Sequence, residues 1–265
     1  MTNPQEETNS PEDRELRSYG RRRGRKGSPR QEALKRESLP RVMIDLTEPY
    51  SLFSEGVLDA GSLGAQHAER VSPSAVIESS GQPPERVSPS AEKWLEIGFG
   101  GGEHLLWQAA HNSDVTILGC EPFEDGVVKV LSAIEHDKLQ NIRLHMGDAR
   151  DVLRWLAPAS VSRVFILFPD PWPKRKHRKR RLVNPATLNL LAQVMQKGGE
   201  LRIGTDIGDY ARTMLQAFRT NSNFAWQAES PEDWRIRPPD WPATRYEQKA
   251  EREGRVRYYF RFLRV

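Results

Sequence analysis

The sequence predicts an α/β fold: a mostly parallel sheet with helices on both faces, preceded by a disordered basic N-terminal extension. Three observations predict it. From Lys93 onward, short apolar runs alternate with segments of helical spacing, as a parallel sheet requires. The first of those runs, Trp94-Leu95-Glu96-Ile97, leads into four glycines within the five positions 98–102. Val164-Phe165-Ile166-Leu167-Phe168 is continuously apolar, which suits a strand buried on both faces.

A chain of 265 residues suits one α/β domain with an extension. No apolar run is long enough to cross a bilayer, and the N-terminus lacks the apolar stretch of a secretory signal. A cytoplasmic protein is therefore expected. Cys120 is the single cysteine, which excludes an intrachain disulfide and fits a reducing compartment. The six histidines are scattered, and no His/Cys spacing suggests a metal site.

The net charge of +4 hides an uneven distribution. Residues 14–36 carry ten Lys/Arg against two Glu, and residues 174–181 carry seven cations with His177 neutral. The remainder of the chain is net acidic. Two basic patches on an acidic background point to a polyanion, most simply nucleic acid. The bland alternative is a solvated charged face or a disordered tail.

Residues 1–50 read as a basic arm. Residues 1–13 are polar, with prolines and acids, and are expected to be disordered. Residues 17–30 are basic with one aromatic, Tyr19, the composition of a segment that orders on binding. A short helix is expected around Gln31–Glu37, followed by Pro40 and the apolar Val42-Met43-Ile44. Residues 51–92 read as a low-complexity linker or insertion. Within them Glu-Arg-Val-Ser-Pro-Ser-Ala occurs at 69–75 and again at 85–91. Two copies fall short of a solenoid, so this is a local duplication with no assigned function. The domain proper is 93–265.

The first strand is expected at Lys93–Glu96, followed by a helix over Glu103–His111. A second strand spans Val115–Glu121, and Val127, Val130, Leu131 and Ile134 recur at helical spacing after it. The third strand is Ile142–Met146, with a short helix after Asp148. The fourth is Val164–Phe168. A helix follows over Pro185–Gln196, with proline acceptable in its first turn, and Lys197-Gly198-Gly199 is its stop. The fifth strand is Glu200–Gly204, before a helix carrying Ala211, Met214, Leu215 and Phe218. Val256–Leu263 reads as a final strand, antiparallel beside Phe224–Gln227.

In open parallel sheets, ligands bind outside the carboxyl ends of the strands. An acid stands at that end of five consecutive strands: Glu96, Glu121, Asp148, Asp170 and Asp206. One such acid is usually a helix cap or loop residue, but five on one rim ask for a ligand. The spacing Glu96, Gly98, Gly100, Gly102 resembles the first motif of class I S-adenosylmethionine-dependent methyltransferases. A dinucleotide site is disfavoured, because Glu103 stands where G-x-G-x-x-G requires its last glycine. With S-adenosylmethionine as cofactor, Glu121 can accept both ribose hydroxyls and Phe123 can pack on adenine. Asp148 can accept from the adenine amine, with the Ala149 amide donating to the ring. Glu96 can hold the methionine ammonium, directly or through water.

Phe168-Pro169-Asp170-Pro171-Trp172-Pro173 followed by the basic run resembles the signature of bacterial tRNA (guanine-N7-)-methyltransferases. Thr205-Asp206 and Thr244-Arg245-Tyr246-Glu247 resemble it as well. The resemblance covers about 93–263, and 51–92 is an insertion that the family generally lacks. It implies a Rossmann-like, mostly parallel seven-stranded sheet. It further implies S-adenosylmethionine as cofactor and N7 of a guanosine in the tRNA variable loop as the methyl acceptor. By the same resemblance Asp170 is the catalytic acid and also binds cofactor with Glu96, Glu121 and Asp148. Lys174, Asp206, Thr244, Arg245, Tyr246 and Glu247 contact the substrate. Lys176, His177, Arg178, Lys179, Arg180 and Arg181 contact the RNA. The one departure is Pro173, where relatives commonly carry histidine. An amino-group methyltransferase is the nearest alternative, although Asp170-Pro171-Trp172 lacks the second proline of that motif. A non-catalytic RNA-binding protein would leave the glycine turn and the rim acids unexplained.

Overall fold

In a computed structural model of the chain, residues 27–48, 50 and 92–265 are described. The sequence expectations for residues 1–26, and nearly all of those for 51–92, fall outside them. The described residues of the basic arm include two helices, α1 (Pro29–Glu37) and α2 (Leu39–Val42). Ser28 and Gln31 close a reciprocal capping box at the start of α1, which fixes that helix end. Leu34, Leu39 and Ile44 are buried, and the Ile44 amide donates to the Leu144 carbonyl at 2.8 Å. Residues 29–44 are thus packed onto the domain.

The domain alternates as the sequence predicts: β1 (Lys93–Ile97), α3 (Glu103–His111), β2 (Thr116–Cys120), α4 (Glu124–Asp137), β3 (Ile142–His145) and α5 (Ala149–Trp155). It continues with β4 (Val161–Leu167), a 3-10 turn over Arg175–Arg180, α6 (Pro185–Val194), β5 (Met195–Thr205), α7 (Gly208–Arg219) and β6 (Phe224–Trp226). The last elements are α8 (Glu232–Arg235), α9 (Arg245–Arg252) and β7 (Tyr258–Arg264). The seven strands form one sheet in the order β3-β2-β1-β4-β5-β7-β6. β1 to β5 run parallel, and β7 is antiparallel to both β5 and β6. Sequence periodicity identifies β6 as the neighbour of β7 and misses β5, its longer partner.

Strand alternation divides the core between the two faces. Val164 and Ile166 of β4 join one buried cluster with Leu95, Ile97, Leu201 and Ile203. Phe165 and Leu167 join the other with Trp94, Ile117, Ile142 and Leu144. A strand buried on both sides has no polar face to show, which explains the apolar run.

The boundary between α6 and β5 differs from the expected one. The helix ends at Val194, and Met195 already pairs with Val161. Gly198 and Gly199 lie inside β5, where the register against β4 shifts between Val161 and Arg163. A Cβ at Gly199 would fall 2.9 Å from the Ser162 carbonyl oxygen. The glycine pair therefore permits a bulge pressed against β4, where the sequence suggested a helix stop.

Order reverses on either side of β1, so the switch point lies between β1 and β4, the position where such sheets bind ligands. Beside it, Gly126 lets the first turn of α4 rest on the β1 turn: a Cβ there would meet the Gly100 carbonyl oxygen at 2.1 Å. Gly126→Ala should destabilise the protein by about 1–3 kcal/mol, as overpacking does. Urea denaturation measures it, and an unchanged midpoint would show that α4 does not need this approach.

Candidate active site

Pairing of β1 with β2 extends one bond past the strand, from the Gly98 amide to the Cys120 carbonyl at 2.7 Å. The chain then turns through left-handed backbone at Gly98, Gly100 and Gly102, the last capping α3. A Cβ at Gly102 would fall 2.2 Å from Cγ2 of Val130 on α4, so both conformation and packing demand glycine.

Glu121, just past β2, is 7% exposed. Its Oε2 accepts from the Gly100 amide at 2.8 Å and its Oε1 from the Phe123 amide at 2.9 Å. One carboxylate thus joins the turns after two neighbouring strands. An ionised carboxylate offers about four acceptor positions, so capacity remains for two further donors. Burial pushes the Glu121 pKa up, against the pull of the Phe123 and Gly100 amides; Asp170 adds to the rise and Arg245 opposes it.

A cavity of about 400 Å³ opens between the turns that follow β1, β2, β3 and β4. Ile97, Cys120 and Leu167 contribute its strand-end lining, and the Cys120 thiol is pushed strongly upward in pKa by burial. Gly98, Gly100, Glu121, Phe123, Asp148, Ala149, Asp170 and Tyr246, all predicted site residues, also line it. Asp148 caps α5 by accepting from the Arg150 amide at 3.0 Å. The Arg150 side chain forks onto the same carboxylate at 2.8 and 2.6 Å, which balances its charge.

The opposite wall is the loop after β4. Phe168 and Trp172 both hold positive φ, at 50° and 42°. Such backbone costs about 1–3 kcal/mol per residue and persists only where the surroundings impose it. Asp170 lies between them at the open mouth, and partial desolvation by the cavity walls raises its pKa.

Of the other predicted residues, Arg180 also lines the cavity, and the rest lie outside its lining. Glu96 is 2% exposed and pairs with Nδ1 of His104 at 2.7 Å. Gln108 Nε2 lies 3.1 Å from His104 Nε2 and donates to the Asp240 carbonyl at 3.0 Å. That geometry makes His104 Nε2 the acceptor and Nδ1–H the donor to Glu96. Asp206 is ion-paired with Arg255 at 2.7 Å. Thr244 caps α9 by accepting from the Glu247 amide at 3.2 Å. Glu247 is buried, accepting from the Tyr259 hydroxyl at 2.5 Å and facing Arg237 at 3.1 Å. Tyr246, between them, is 50% exposed.

Beside the cavity, the 3-10 turn Arg175–Arg180 buries none of its residues. The Arg180 guanidinium stacks 5.0 Å over Trp172, against which His177 packs edge-on at 5.9 Å. The neighbouring cations Arg180, Lys176 and Lys174 add to the lowering of the His177 pKa, after desolvation. Lys174, Lys176, Arg178 and Lys179 are exposed, whereas Arg181 is 1% exposed and bonded into α7. Sequence inspection misses His104, Arg150 and the cavity-lining Leu182, and it carries Phe168 and Trp172 only as part of the signature, with no role at the site. His104 lies eight residues past Glu96, a spacing that only a turn followed by one helical turn brings together.

Residues 90–260 match the family described as "Putative methyltransferase". The tRNA (guanine-N(7)-)-methyltransferase of Roseobacter denitrificans is 50% identical over 171 residues, covering 64% of this chain and 73% of that protein. The enzyme of the same name from Chelativorans sp. is 39% identical over 247 residues, covering 93% and 94%. Its counterpart in Nitrobacter hamburgensis is 40% identical over 246 residues, covering 93% and 86%.

The Glu121 shift has a measurable consequence in the ligand-free protein. A carboxyl whose folded pKa is raised binds protons more tightly when folded, so its contribution to stability falls as pH rises through about 4.3. The stability of Glu121→Gln relative to wild type should therefore move in favour of the variant as pH rises from 3.5 to about 7. Urea unfolding across that range measures it, and a difference independent of pH would contradict the shift.

Proposed function

We propose a catalytic arrangement that proceeds from one premise: the chain belongs to the tRNA (guanine-N(7)-)-methyltransferase family. It transfers a methyl group to N7 of guanosine in tRNA. S-adenosylmethionine is the cofactor, and the variable-loop guanosine is the acceptor. The observation that carries this arrangement is the cavity at the sheet's switch point. There, Glu121 and the glycine turn face the Asp170 loop, with the exposed basic turn beside it.

The cavity suits the cofactor. Glu121 has acceptor capacity for the two ribose hydroxyls, and Phe123 offers an apolar face for adenine. Asp148 and the Ala149 amide would meet the adenine edge. The turn at Gly98, Gly100 and Gly102 admits close backbone approach, and Glu96 beneath it would receive the methionine ammonium through water. Described residues hold no group of three or more His, Cys, Asp or Glu able to bind a metal. When bound, S-adenosylmethionine supplies an electrophilic methyl group.

Guanine N7 has a lone pair and no proton, so attack requires no general base. The methylated ring is cationic, and the Asp170 carboxylate stabilises that developing charge and orients the guanine edge. Alignment of donor and acceptor supplies much of the rate. Tyr246 and Arg245, at the start of α9, contact the substrate directly at the cavity mouth. Thr244 and Glu247 act by fixing that helix end, and Asp206 acts through Arg255. Lys174, Lys176, His177, Arg178, Lys179 and Arg180 hold RNA phosphates. None of the described helices is long and apolar enough to cross a membrane.

The direct test is incubation with labelled S-adenosylmethionine and unmodified tRNA, followed by identification of the modified nucleoside. Labelled 7-methylguanosine is expected. A methyl on an exocyclic amine would overturn the N7 assignment, and absence of cofactor binding in calorimetry would overturn the enzyme assignment. Asp170→Asn should keep its fold and most of its tRNA affinity yet lose most turnover; near-normal turnover at saturation would reduce Asp170 to a loop residue. Replacing Lys176, Arg178, Lys179 and Arg180 together by alanine should weaken tRNA binding and flatten its salt dependence. Each lost phosphate contact lowers the log–log slope, by about 0.9 on B-form DNA and about 0.7 on single strands, and a loss of that order is expected on tRNA. Wild-type affinity and slope at several salt concentrations would place the RNA on another face.

A further inference from the structure

Arg181 ends the basic run, yet it alone among residues 174–181 is buried, at 1% exposure. Its neighbours Arg180 and Leu182 line the cavity, while Arg181 is bonded into α7. Each of its three guanidinium nitrogens is engaged. Nε donates to the Pro171 carbonyl at 2.9 Å, Nη1 to the Thr213 hydroxyl at 2.7 Å and Nη2 to Asp209 at 2.6 Å. The group also lies 4.7 Å over the Tyr210 ring. Thr213 donates in turn to the Asp209 carbonyl at 2.9 Å, and the Tyr210 hydroxyl accepts from the Val183 amide at 3.0 Å. A phosphate could take this arginine only by breaking those bonds.

We propose that Arg181 is a positioning residue for the Asp170 loop and makes no RNA contact. Its Nε holds the carbonyl of Pro171, the residue immediately after Asp170. The other end of the loop is held by the Phe168 amide, which donates to the Gly204 carbonyl at 2.7 Å. At these two anchors stand Phe168 and, directly after Pro171, Trp172, whose positive φ requires an imposed geometry. The planar fork of arginine meets three acceptors at fixed angles, which a lysine ammonium cannot reproduce. Asp209 also pairs with the half-exposed Arg178 at 3.0 Å. That outer arginine is free to exchange Asp209 for a phosphate while Arg181 stays in place. The basic run thus divides between cations that reach RNA and one that holds the catalytic loop.

This inference rests on the role given to Asp170 above, so its test reads the loop as well as the reaction. Arg181→Lys, Thr213→Val and Arg178→Ala are compared with wild type. The measurements are single-turnover methylation, tRNA binding at several salt concentrations, and hydrogen exchange of peptides spanning 168–183 in ligand-free protein. In Arg181→Lys, turnover should fall roughly 10–100-fold, the penalty of a small misplacement at a reacting centre. Its tRNA affinity and salt slope should match wild type, and exchange at 168–183 should quicken. Arg178→Ala should do the reverse, with weaker binding, a shallower slope and unchanged exchange. Thr213→Val, which removes one acceptor of the clamp and leaves the charge, should show a smaller loss of turnover with the same faster exchange. It stands in if Arg181→Lys does not fold. Unchanged exchange in both clamp variants, or a shallower salt slope in Arg181→Lys, would overturn the proposal. Quickened exchange in a protein that transfers no methyl to tRNA would leave the clamp standing and overturn the function of the loop it holds.

Discussion

The site depends on one carboxylate. Glu121 accepts from the amides of Gly100 and Phe123 and so fixes the turn after β1 to the start of α4. Two glycines make that junction possible, Gly102 by yielding to Val130 and Gly126 by yielding to the Gly100 carbonyl. Backbone amides cannot be left unpaired in a buried turn without penalty, so the carboxylate stays despite the cost of its burial. Holding an acid in this state keeps acceptor capacity in a partly dry cavity. There, a bound polar ligand gains more from each hydrogen bond than it would in water.

The two walls of the cavity are made differently. On the Glu121 side, geometry follows from parallel strands, glycine turns and helix starts, all of which the sheet sets. On the Asp170 side, the loop leaves β4 in strained backbone and depends on bonds from residues distant in sequence. Those bonds come from the Gly204 carbonyl on β5 and from Arg181, itself seated on Asp209, Tyr210 and Thr213 of α7. A wall set by the sheet facing a separately held loop suits a reaction in which two bound partners must be aligned. The exposed cations of Arg175–Arg180 lie beside that loop, at the same edge of the sheet.

Much of this was legible in the sequence, because strands β1 to β5 carry their signals locally. The apolar run at Val164–Phe168 reports burial on both faces, and the glycines at 98–102 report a turn that no other residue could make. The acids at the strand ends could be placed on one rim because every parallel strand ends on the same side. Which of them share a cavity was not legible. Glu96 is drawn beneath the turn by His104, and Asp206 is held by Arg255; both partners are set by tertiary packing. Helix α9 was missed because Arg245–Arg252 is almost wholly polar, with Ala250 its one buried apolar residue, so periodicity had nothing to count. The burial of Arg181 was not legible for the opposite reason. A run of cations looks uniform in composition, and nothing in it shows that one member turns inward.

The most direct measurement is a crystal structure with S-adenosylhomocysteine bound. The ribose hydroxyls should lie on Glu121, with the carboxylate still accepting from Gly100 and Phe123, adenine against Phe123 and Asp148, and the sulfur on the side of Asp170. Ribose bound elsewhere, or a Glu121 carboxylate released from the Gly100 amide to reach it, would contradict a site organised around that carboxylate.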